Sequence, residues 1–397
     1  MPALPFSTGS DSELVIESSR HWLLRVPLNR PMAWASGART HVTRIVVEVR
    51  TRGGVVGYGE SICLLDAVPA VLQKVVLPLL KGKRVDQAEA VYRHVLGAGY
   101  YHHKRAAVMA ICAAEMAMWD AFGKVCGQPL HRLWGGLWRD RVPLAAYLFV
   151  NDAAKVAEEA HSFLERGFET FKLKIGVDEK SDIALSRAVR NAIGPDRPLR
   201  LDVNGAWTPG TAKRQCRRLA EFDPSYIEQP LEHDDLAGTA ALRASQSVPI
   251  ALDESAYTLV DVGNIVRAGA ADVVLLDPHE AGGLWQTVKA AAVCESVGIP
   301  VTLHSGGELG LSQAAYLHLA ASIPNMTLAI DSELDYLGGD IVTAPFRAVQ
   351  GALDVPTGPG LGVEVDFQAL ARYEVDSIQG AYLDAARPHW FPVKPAY

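Results

Sequence analysis

The sequence predicts an α/β fold, a (β/α)8-type (TIM-like) barrel with an α+β capping domain. Short apolar segments alternate with helical patterns from about residue 142 to residue 331, and the apolar segments number eight. Polar residues follow nearly every one of these segments. Strand–helix alternation of this length indicates parallel βαβ units, and eight units close into a barrel. An open Rossmann-like sheet is disfavoured because no G-x-G-x-x-G pattern follows a strand.

The segments on either side of the barrel pattern predict the capping domain. HVTRIVVEVRTRGGVVGYGES (41–61) indicates a β-hairpin with a Gly-Gly turn, and residues 26–40, rich in Pro, Gly and Ser, indicate a loop. Helical patterns cover 67–96 and 105–124. We therefore predict three regions: a capping domain over 1–140, a barrel over 141–335, and a C-terminal segment over 336–397 that packs back on the capping domain.

Composition and charge limit the classes of function. The chain of 397 residues has a net charge of −7, which argues against nucleic acid or an anionic membrane as the main partner. Its five cysteines are scattered and never in C-x-x-C spacing, as expected of buried thiols in a reducing compartment. The N-terminus lacks the basic and apolar pattern of a signal peptide. We expect a cytoplasmic protein with no membrane partner.

Polar side chains at the strand ends indicate the functional site. Because the carboxyl ends of barrel strands meet at one mouth, these side chains should converge there. Alternation in FKLKI places two lysines opposite Phe171, Leu173 and Ile175, and the same parity selects Asp253 over Glu254 as the inward carboxylate. One Asp at a strand end is more often a helix cap, but a regular series favours function. The series is Lys172, Lys174, Asp202, Glu228, Asp253, Asp277, His304 and Asp331.

Three carboxylates on adjacent strands predict a metal site. Asp202, Glu228 and Asp253 offer only oxygen ligands, which suit a hard divalent cation, and we predict one Mg²⁺ per active site. Such a cation leaves room for the carboxylate of a small-molecule substrate. It would also stabilise the enediolate formed when that substrate loses its α-proton.

Groups flanking this site predict proton transfer. Crowding beside Lys172 and the metal should disfavour the charged form of Lys174, so that Lys174 becomes a neutral amine base. Asp277 should pair with His304, fixing the imidazole tautomer and keeping it basic. A base on each side of a bound carboxylate suits removal of the proton from its α-carbon, with Lys172 stabilising the enediolate.

This ordered set resembles the enolase superfamily, mandelate racemase branch, over most of the chain. Within that branch the chain is similar to the glucarate dehydratase-like enzymes in FKLK (171–174), LDVNGAW (201–207), LLDPH (275–279) and GPGLGVEVD (358–366). The resemblance implies Lys174 and His304 as the two bases, Asp331 near the enolate oxygen and Asn204 near the substrate. It further implies the three carboxylates as Mg²⁺ ligands, capping loops that close over the mouth, and a homo-oligomer.

The implied reaction is dehydration of a sugar acid, an aldarate or an aldonate, to a 2-keto-3-deoxy acid. Two departures from the glucarate dehydratases bear on the substrate: Asp253 stands where those enzymes have Asn, and SGGE follows His304. A racemase, epimerase or cycloisomerase could use the same two bases. A non-catalytic sugar-acid binding protein is a further alternative, which the intact Lys174, Asp277 and His304 argue against.

Weaker signals give candidate substrate-binding residues outside the strand-end series. Arg30 and Trp34 fall in the loop predicted over 26–40, where we expect residues that set substrate specificity. His279 lies two residues beyond Asp277. His102 and Lys104 precede a predicted helix, where such a run is more often a solvated helix start.

Overall fold

An antiparallel sheet and a parallel barrel organise the chain in the computed structural model, which describes residues 11–35, 37–97, 100–150 and 152–378. The antiparallel sheet has three strands: β1 (Ile16–Trp34), β2 (Gly37–Thr51) and β3 (Val56–Ile62). The eight barrel strands are β4 (Arg141–Leu148), β5 (Thr170–Lys174), β6 (Leu199–Asp202), β7 (Tyr226–Glu228), β8 (Ile250–Leu252), β9 (Val273–Leu276), β10 (Val301–Leu303) and β11 (Ile330–Asp331). The α/β barrel with an α+β cap is confirmed.

Helices cover the sheet and surround the barrel. Those of the N-terminal region are α1 (Asp11–Leu14), α2 (Ala67–Val71), a π-helical turn (Leu72–Val76), α3 (Leu77–Leu80), α4 (Ala88–Gly97), α5 (Lys104–Cys126) and α6 (Leu130–Leu133). Those of the barrel are α7 (Ala153–Glu165), α8 (Glu179–Ile193), α9 (Pro209–Leu219), α10 (Leu236–Ala244), α11 (Leu259–Ala268), α12 (Pro278–Ala281), α13 (Leu284–Glu295) and α14 (Gly310–Ser322).

The predicted loop over 26–40 is instead part of a long hairpin. β1 continues to Trp34 and pairs with β2 from Gly37, with one register shift between Pro27 and Met32. A bulge of this kind absorbs the residues that cannot pair, so Pro-rich sequence need not end a strand at an exposed edge. The predicted hairpin over 41–61 is confirmed, because β2 pairs antiparallel with β3.

Helix α5 joins the antiparallel sheet to the barrel. A Cβ on Gly57 would lie 2.1 Å from the carbonyl oxygen of Ala117, so only glycine in β3 lets the helix approach this closely. On its other side, the buried Glu115 accepts hydrogen bonds from the N–H groups of Leu284 and Trp285 at 2.8 and 3.0 Å. These two backbone groups begin α13, where the helix dipole favours a carboxylate. Helix α5 therefore fixes the cap against the barrel.

The same helix has the length and apolar composition of a membrane span. Its apolar window is 83% buried within the protein, as in the core helix of many proteins. The expectations of a cytoplasmic and homo-oligomeric protein stay predictions.

The barrel strands run in the order β10-β9-β8-β7-β6-β5-β4-β11. Phe171 and Leu173 of β5 pack outward into the main apolar core beneath α7 and α8, so the alternate lysines face the barrel interior. The hydroxyl of Thr302 donates to the carbonyl of Ala329 at 2.9 Å, which helps to close the barrel between β10 and β11.

The chain after the barrel contacts both parts of the protein. Strand β12 (Ala352–Asp354) pairs antiparallel with β4, and the N–H of Leu361 donates to Asp120 of α5 at 2.8 Å. Helix α15 (Phe367–Tyr373) comes next, and Glu374 then forms a bridge with Leu24 of β1. Residues 379–397 lie outside the described residues. The domain boundaries predicted at 140 and 335 stay predictions.

Two buried histidines lie where α6 packs against α14. His131 and His318 approach at 3.1 Å between their Nδ1 atoms, and His318 Nε2 donates to the carbonyl oxygen of Leu361 at 3.1 Å. His318 Nδ1 must therefore accept a hydrogen bond, which requires a neutral ring. Burial lowers the pKa of His318 to about 4.

We expect this histidine to make stability depend on pH. The unfolded state binds the proton more tightly, so the free energy of unfolding falls as pH drops from 6.5 towards 4. For His318 this amounts to about 2 kcal/mol between pH 7.5 and pH 5. Urea unfolding at pH 7.5 and at pH 5 measures how much stability is lost between them. His318→Gln should lose about 2 kcal/mol less than the wild type. The control His161→Gln, on the exposed face of α7, should lose as much as the wild type. Equal pH dependence in His318→Gln and the wild type would contradict this.

Candidate active site

A row of charged side chains crosses three adjacent barrel strands. Lys174 of β5 is in register with Asp202 of β6, and Asp202 with Glu228 of β7. All three are buried, and Lys174 Nζ donates to Asp202 Oδ2 at 2.6 Å. Register in a parallel sheet therefore brings the predicted strand-end residues together at one level of the barrel.

Lys172 lies one layer deeper and holds this row together. Its Nζ donates to Glu228 Oε1 and Asp331 Oδ2, each at 2.6 Å, and lies 3.2 Å from Asp202 Oδ2. Burial acts to lower the pKa of Lys172, but the carboxylates of Asp331 and Glu228 outweigh burial and leave it well above the usual value. Lys172 is therefore an ammonium group that stabilises three buried carboxylates.

The protein groups by themselves do not produce the loss of charge predicted for Lys174 beside Lys172 and a metal. Burial and the neighbouring Lys172 both act to lower the pKa of Lys174, as the sequence argument held. The carboxylate of Asp202 more than offsets them, so the pKa is raised instead. The sequence argument considered the effects of Lys172 and the metal on Lys174, but not the effect of Asp202, the carboxylate to which Lys174 donates.

The predicted pairing of Asp277 with His304 is also absent as a hydrogen bond. His304 Nδ1 lies 2.9 Å from Asp253 Oδ2. Asp277 Oδ1 already accepts from the N–H of His279 at 2.7 Å and from the Tyr316 hydroxyl at 2.9 Å. Asp277 nevertheless lies close enough to act on the histidine. Burial opposes the charged ring, but Asp253 and then Asp277 leave the pKa of His304 well above its usual value.

One oxygen of the proposed ligand set lacks a hydrogen-bond donor. Glu228 Oε2 is buried and has no partner among the described residues, whereas Asp253 Oδ2 has His304 Nδ1 at 2.9 Å. Buried carboxylate oxygens without donors are costly unless a cation compensates them. Their all-oxygen chemistry suits a hard divalent cation. Glu228, His304 and Asp331 form a second set of possible ligands, because one ligand atom from each lies within 4.8 Å of the other two.

Asp331 lies below the site rather than in its cavity. Besides Lys172, it accepts hydrogen bonds from Arg200 at 3.2 Å and from the Tyr147 hydroxyl at 3.3 Å. With these donors, Asp331 acts as a buried counterion inside the barrel. Glu333, two residues further along, reaches the cavity instead.

A cavity of about 220 Å³ opens above the charged row. It brings together Lys174, Asn204, Asp253 and His304 of the predicted set, with Trp34 from the β1–β2 hairpin. Sequence reasoning missed several residues that also line it: Arg39, Ile62, Leu64, Phe149, Glu254, Tyr257, Glu280 and Glu333. Glu254 and Glu333 lie just beyond the strand-end residues Asp253 and Asp331, and this position could have identified them as candidates from the sequence. Arg39 falls in the loop predicted over 26–40, but no sequence feature distinguished it from its neighbours there.

The remaining candidate residues lie elsewhere. Arg30 pairs with Glu159 and stacks 4.3 Å from the centroid of the Tyr336 ring. His102 and Lys104 line a second cavity of about 610 Å³, which shares Glu254 and Tyr257 with the first. Lys104 there pairs with Asp261 at 3.0 Å.

His279 is fully buried behind Asp277 and belongs to the junction between cap and barrel. Arg44 of β2, also fully buried, approaches His279 Nε2 at 3.2 Å and donates from Nε to Glu60 Oε1 at 2.6 Å. The Glu60 carboxylate accepts from the N–H groups of Leu309 and Ser312 at 2.9 and 3.0 Å. One buried ion pair thus links the sheet, the residue behind Asp277 and the loop that comes after His304.

This geometry defines the class of protein: a capped barrel enzyme with acidic and basic groups gathered at one mouth. The family model for the mandelate racemase / muconate lactonizing enzyme N-terminal domain matches residues 21–135, and the model for the enolase C-terminal domain-like family matches residues 155–369. The chain belongs to the enolase superfamily, in its mandelate racemase branch.

Similar proteins within this family catalyse different reactions. A probable glucarate dehydratase of Streptomyces coelicolor is 33% identical, covering 83% of this chain and 84% of its own. Muconate cycloisomerase 1 of Rhodococcus opacus is 31% identical over 90% of this chain and 98% of its own. The crystal structure of an enolase from Thermobispora bispora in complex with magnesium and formate superposes with a TM-score of 0.87 at 29% identity, covering 97% and 100% of the two chains. The comparisons therefore establish the superfamily and not the particular reaction.

We expect the buried ion pair of Arg44 to dominate the stability of the junction. Arg44→Met leaves Glu60 buried without its cation and should cost about 3–5 kcal/mol. Arg20→Met is the matched control, because Arg20 pairs with Glu48 on the same sheet but its side chain is 55% exposed. That change should cost about 1 kcal/mol or less. Urea unfolding of the two variants measures the difference, and similar losses would rule out the structural role given to Arg44.

Proposed function

We propose that the protein is a Mg²⁺-dependent hydro-lyase that dehydrates a sugar acid, an aldarate or an aldonate, to a 2-keto-3-deoxy acid. One observation carries this proposal: Lys174 and His304 line the same small cavity above a buried row of carboxylates. Two proton-transfer groups facing one cavity suit a reaction that removes one proton and delivers another. Similarity to a probable glucarate dehydratase gives the proposal its direction.

Asp202, Glu228 and Asp253 would hold the cation. The donor-free Oε2 of Glu228 supports this assignment. When bound, Mg²⁺ supplies positive charge that stabilises the negative charge developing on the substrate carboxylate. Lys172, an ammonium group just below, adds a fixed charge of the same sign without any reorganisation.

Lys174 would remove the α-proton of the substrate. It must first be a neutral amine, and its hydrogen bond to Asp202 opposes that loss of charge. A divalent cation on Asp202 would compete with the ammonium group for the same carboxylate, which makes the neutral amine more accessible. The α C–H electron pair then moves into the carboxylate and gives the enediolate.

His304 would complete the elimination. As the enediolate collapses, a C2–C3 double bond forms and the C3–O bond breaks, and the imidazolium gives its proton to the departing hydroxyl group. The product is water and an enol, which tautomerises to the 2-keto-3-deoxy acid. Asp277, which is outside the proposed ligand set, also acts to raise the pKa of His304 and supports its role as the acid.

A racemase, epimerase or cycloisomerase is the second candidate, favoured by one observation. The same two groups could remove a proton on one side of a carbon and return it on the other, without any leaving group. Muconate cycloisomerase 1 is similar to this chain at nearly the same identity as the dehydratase. A 2-keto product that reacts with carbonyl reagents distinguishes dehydration from these alternatives.

We expect Mg²⁺ to stabilise the protein. After treatment with a chelator, Mg²⁺ at a hundredfold excess over its Kd should stabilise the wild type by about 2.7 kcal/mol. Glu228→Gln should abolish the effect, and Glu280→Gln, a carboxylate of the same cavity outside the ligand set, should retain it. Thermal unfolding with and without Mg²⁺ measures this. An unchanged melting temperature of the wild type at high Mg²⁺ would refute the proposed metal site.

We expect Lys174→Ala and His304→Asn to separate the two proton transfers. Each should lower kcat by about 10²–10⁴-fold on an acid that the wild type dehydrates in a sugar-acid library. His304→Asn should still exchange the α-proton with deuterated water, since Lys174 performs that step, while Lys174→Ala should not. Full turnover by both variants would overturn the mechanism. Failure of the wild type to exchange the α-proton of any library acid would favour a binding protein.

A further inference from the structure

We infer that the substrate is a monocarboxylic polyhydroxy acid, an aldonate rather than an aldarate. This inference rests on the proposed function and narrows its substrate class. It comes from the charge and hydrogen-bonding groups of the cavity-lining residues other than Lys174 and His304, which would face the remainder of the substrate.

Positive charge in the cavity is concentrated at the reacting end. Lys172 and Lys174 lie there, beside the carboxylates proposed to hold the cation. One carboxylate of the substrate would meet this charge. A second carboxylate, at the other end of the carbon chain, would need a separate cation.

The one cation on the remaining wall, among the described residues that line this cavity, is already neutralised. Arg39 Nη2 donates to Glu333, and both side chains are buried, at 6% and 5% exposure, so water does not screen the pair. Arg39 Nη1 also donates to the carbonyl oxygen of Gly306 at 3.3 Å. The guanidinium group is thus held between two protein acceptors and carries no net charge with its partner.

Two further carboxyl groups on this wall leave an anion without a partner cation. Glu254 and Glu280 line it, and neither forms an ion pair with a described residue. Glu254 is held by the Asn204 amide at 2.9 Å, and Glu280 by the Tyr257 hydroxyl. The nearest cation beyond them, Arg105, stacks on the Tyr257 ring and lines the neighbouring cavity instead.

The same wall suits hydroxyl groups. Arg39 Nε is a buried donor without an acceptor, and Glu254 Oε2 is a buried acceptor without a donor. A hydroxyl both accepts and donates, so a polyol chain can satisfy both atoms, whereas a carboxylate can only accept. Trp34, Ile62 and Phe149 offer apolar surface to the C–H groups between the hydroxyls. A neutral polyhydroxy chain therefore matches the wall in charge and in hydrogen bonding.

The test compares acids that differ only at the terminal carbon. Matched pairs such as gluconate with glucarate and galactonate with galactarate are assayed with Mg²⁺ for 2-keto product. For any pair that reacts, kcat/KM should favour the aldonate by roughly 100-fold or more, since a carboxylate taken out of water without a partner cation costs several kcal/mol. An equal or higher value for the aldarate overturns the inference.

Binding of the same pairs, measured by calorimetry with Mg²⁺, keeps the two proposals distinguishable. Tighter binding of aldonates without any keto product supports the charge preference and counts against the dehydratase. Tighter or equal binding of aldarates, or no binding by any acid, counts against the inference.

Variants identify the origin of the preference. Glu333→Gln leaves Arg39 with a net positive charge and should lower the aldonate-to-aldarate ratio of affinities by about tenfold or more. Leu64→Lys adds a cation to the lining of the same cavity and should act in the same direction, which covers the case in which Glu333→Gln does not fold. Glu169→Gln, the same change at an exposed site, is the control and should leave the ratio within about twofold. An unchanged ratio in both cavity variants would refute the role of this wall.

Discussion

The site depends on one buried ammonium group. Lys172 contacts carboxylates from three other barrel strands, at 2.6 Å to Glu228 and Asp331 and at 3.2 Å to Asp202. Carboxylates this close repel one another strongly where water is absent, and the ammonium group among them offsets part of that repulsion. Burial and the neighbouring Asp202 still leave the pKa of Glu228 well above its usual value. The proposed function needs ionised carboxylates to hold a cation. The rest of the mouth therefore depends on the position of Lys172.

A second buried cation does the same for the cap. Arg44 is fully buried between Glu60 of the sheet and His279 of the barrel, and Glu60 caps the backbone after His304. Lys172 in the barrel and Arg44 in the cap therefore have the same effect. Each compensates buried carboxylates, which then position neighbouring groups. The cap is consequently not a loose lid. Its strand β2 is fixed to the segment that carries His304, and its hairpin brings Arg39 and Trp34 to the cavity.

Strand parity made the deep part of the site predictable from the sequence, whereas features that depend on contacts between strands were missed. Alternation in FKLKI identified both lysines, and the strand-end positions identified Asp202, Glu228 and Asp253, because a strand has only two faces. The effect of Asp202 on the charge of Lys174 was missed, since Asp202 lies 28 residues away in sequence but 2.6 Å away in space. The hairpin over 26–40 was missed because a bulge accommodates its irregular pairing. Residues from the cap, Arg39 above all, carry no signal in the barrel pattern.

The site has a deep half, built from strand-end residues of the barrel, and an outer half, built from the cap and from residues just beyond the strands. The deep half, built by strand parity, holds the groups to which the proposed function assigns proton transfer, and a probable dehydratase and a cycloisomerase are similar to this chain over most of its length. The outer half is built from the hairpin and from residues just beyond the strands, where a single substitution changes charge without disturbing the barrel. Arg39 and Glu333 meet across the boundary between cap and barrel. A change in either partner would alter the charge that the far end of a substrate meets while leaving the proton-transfer groups in place, so selection on substrate can act there independently of the chemistry.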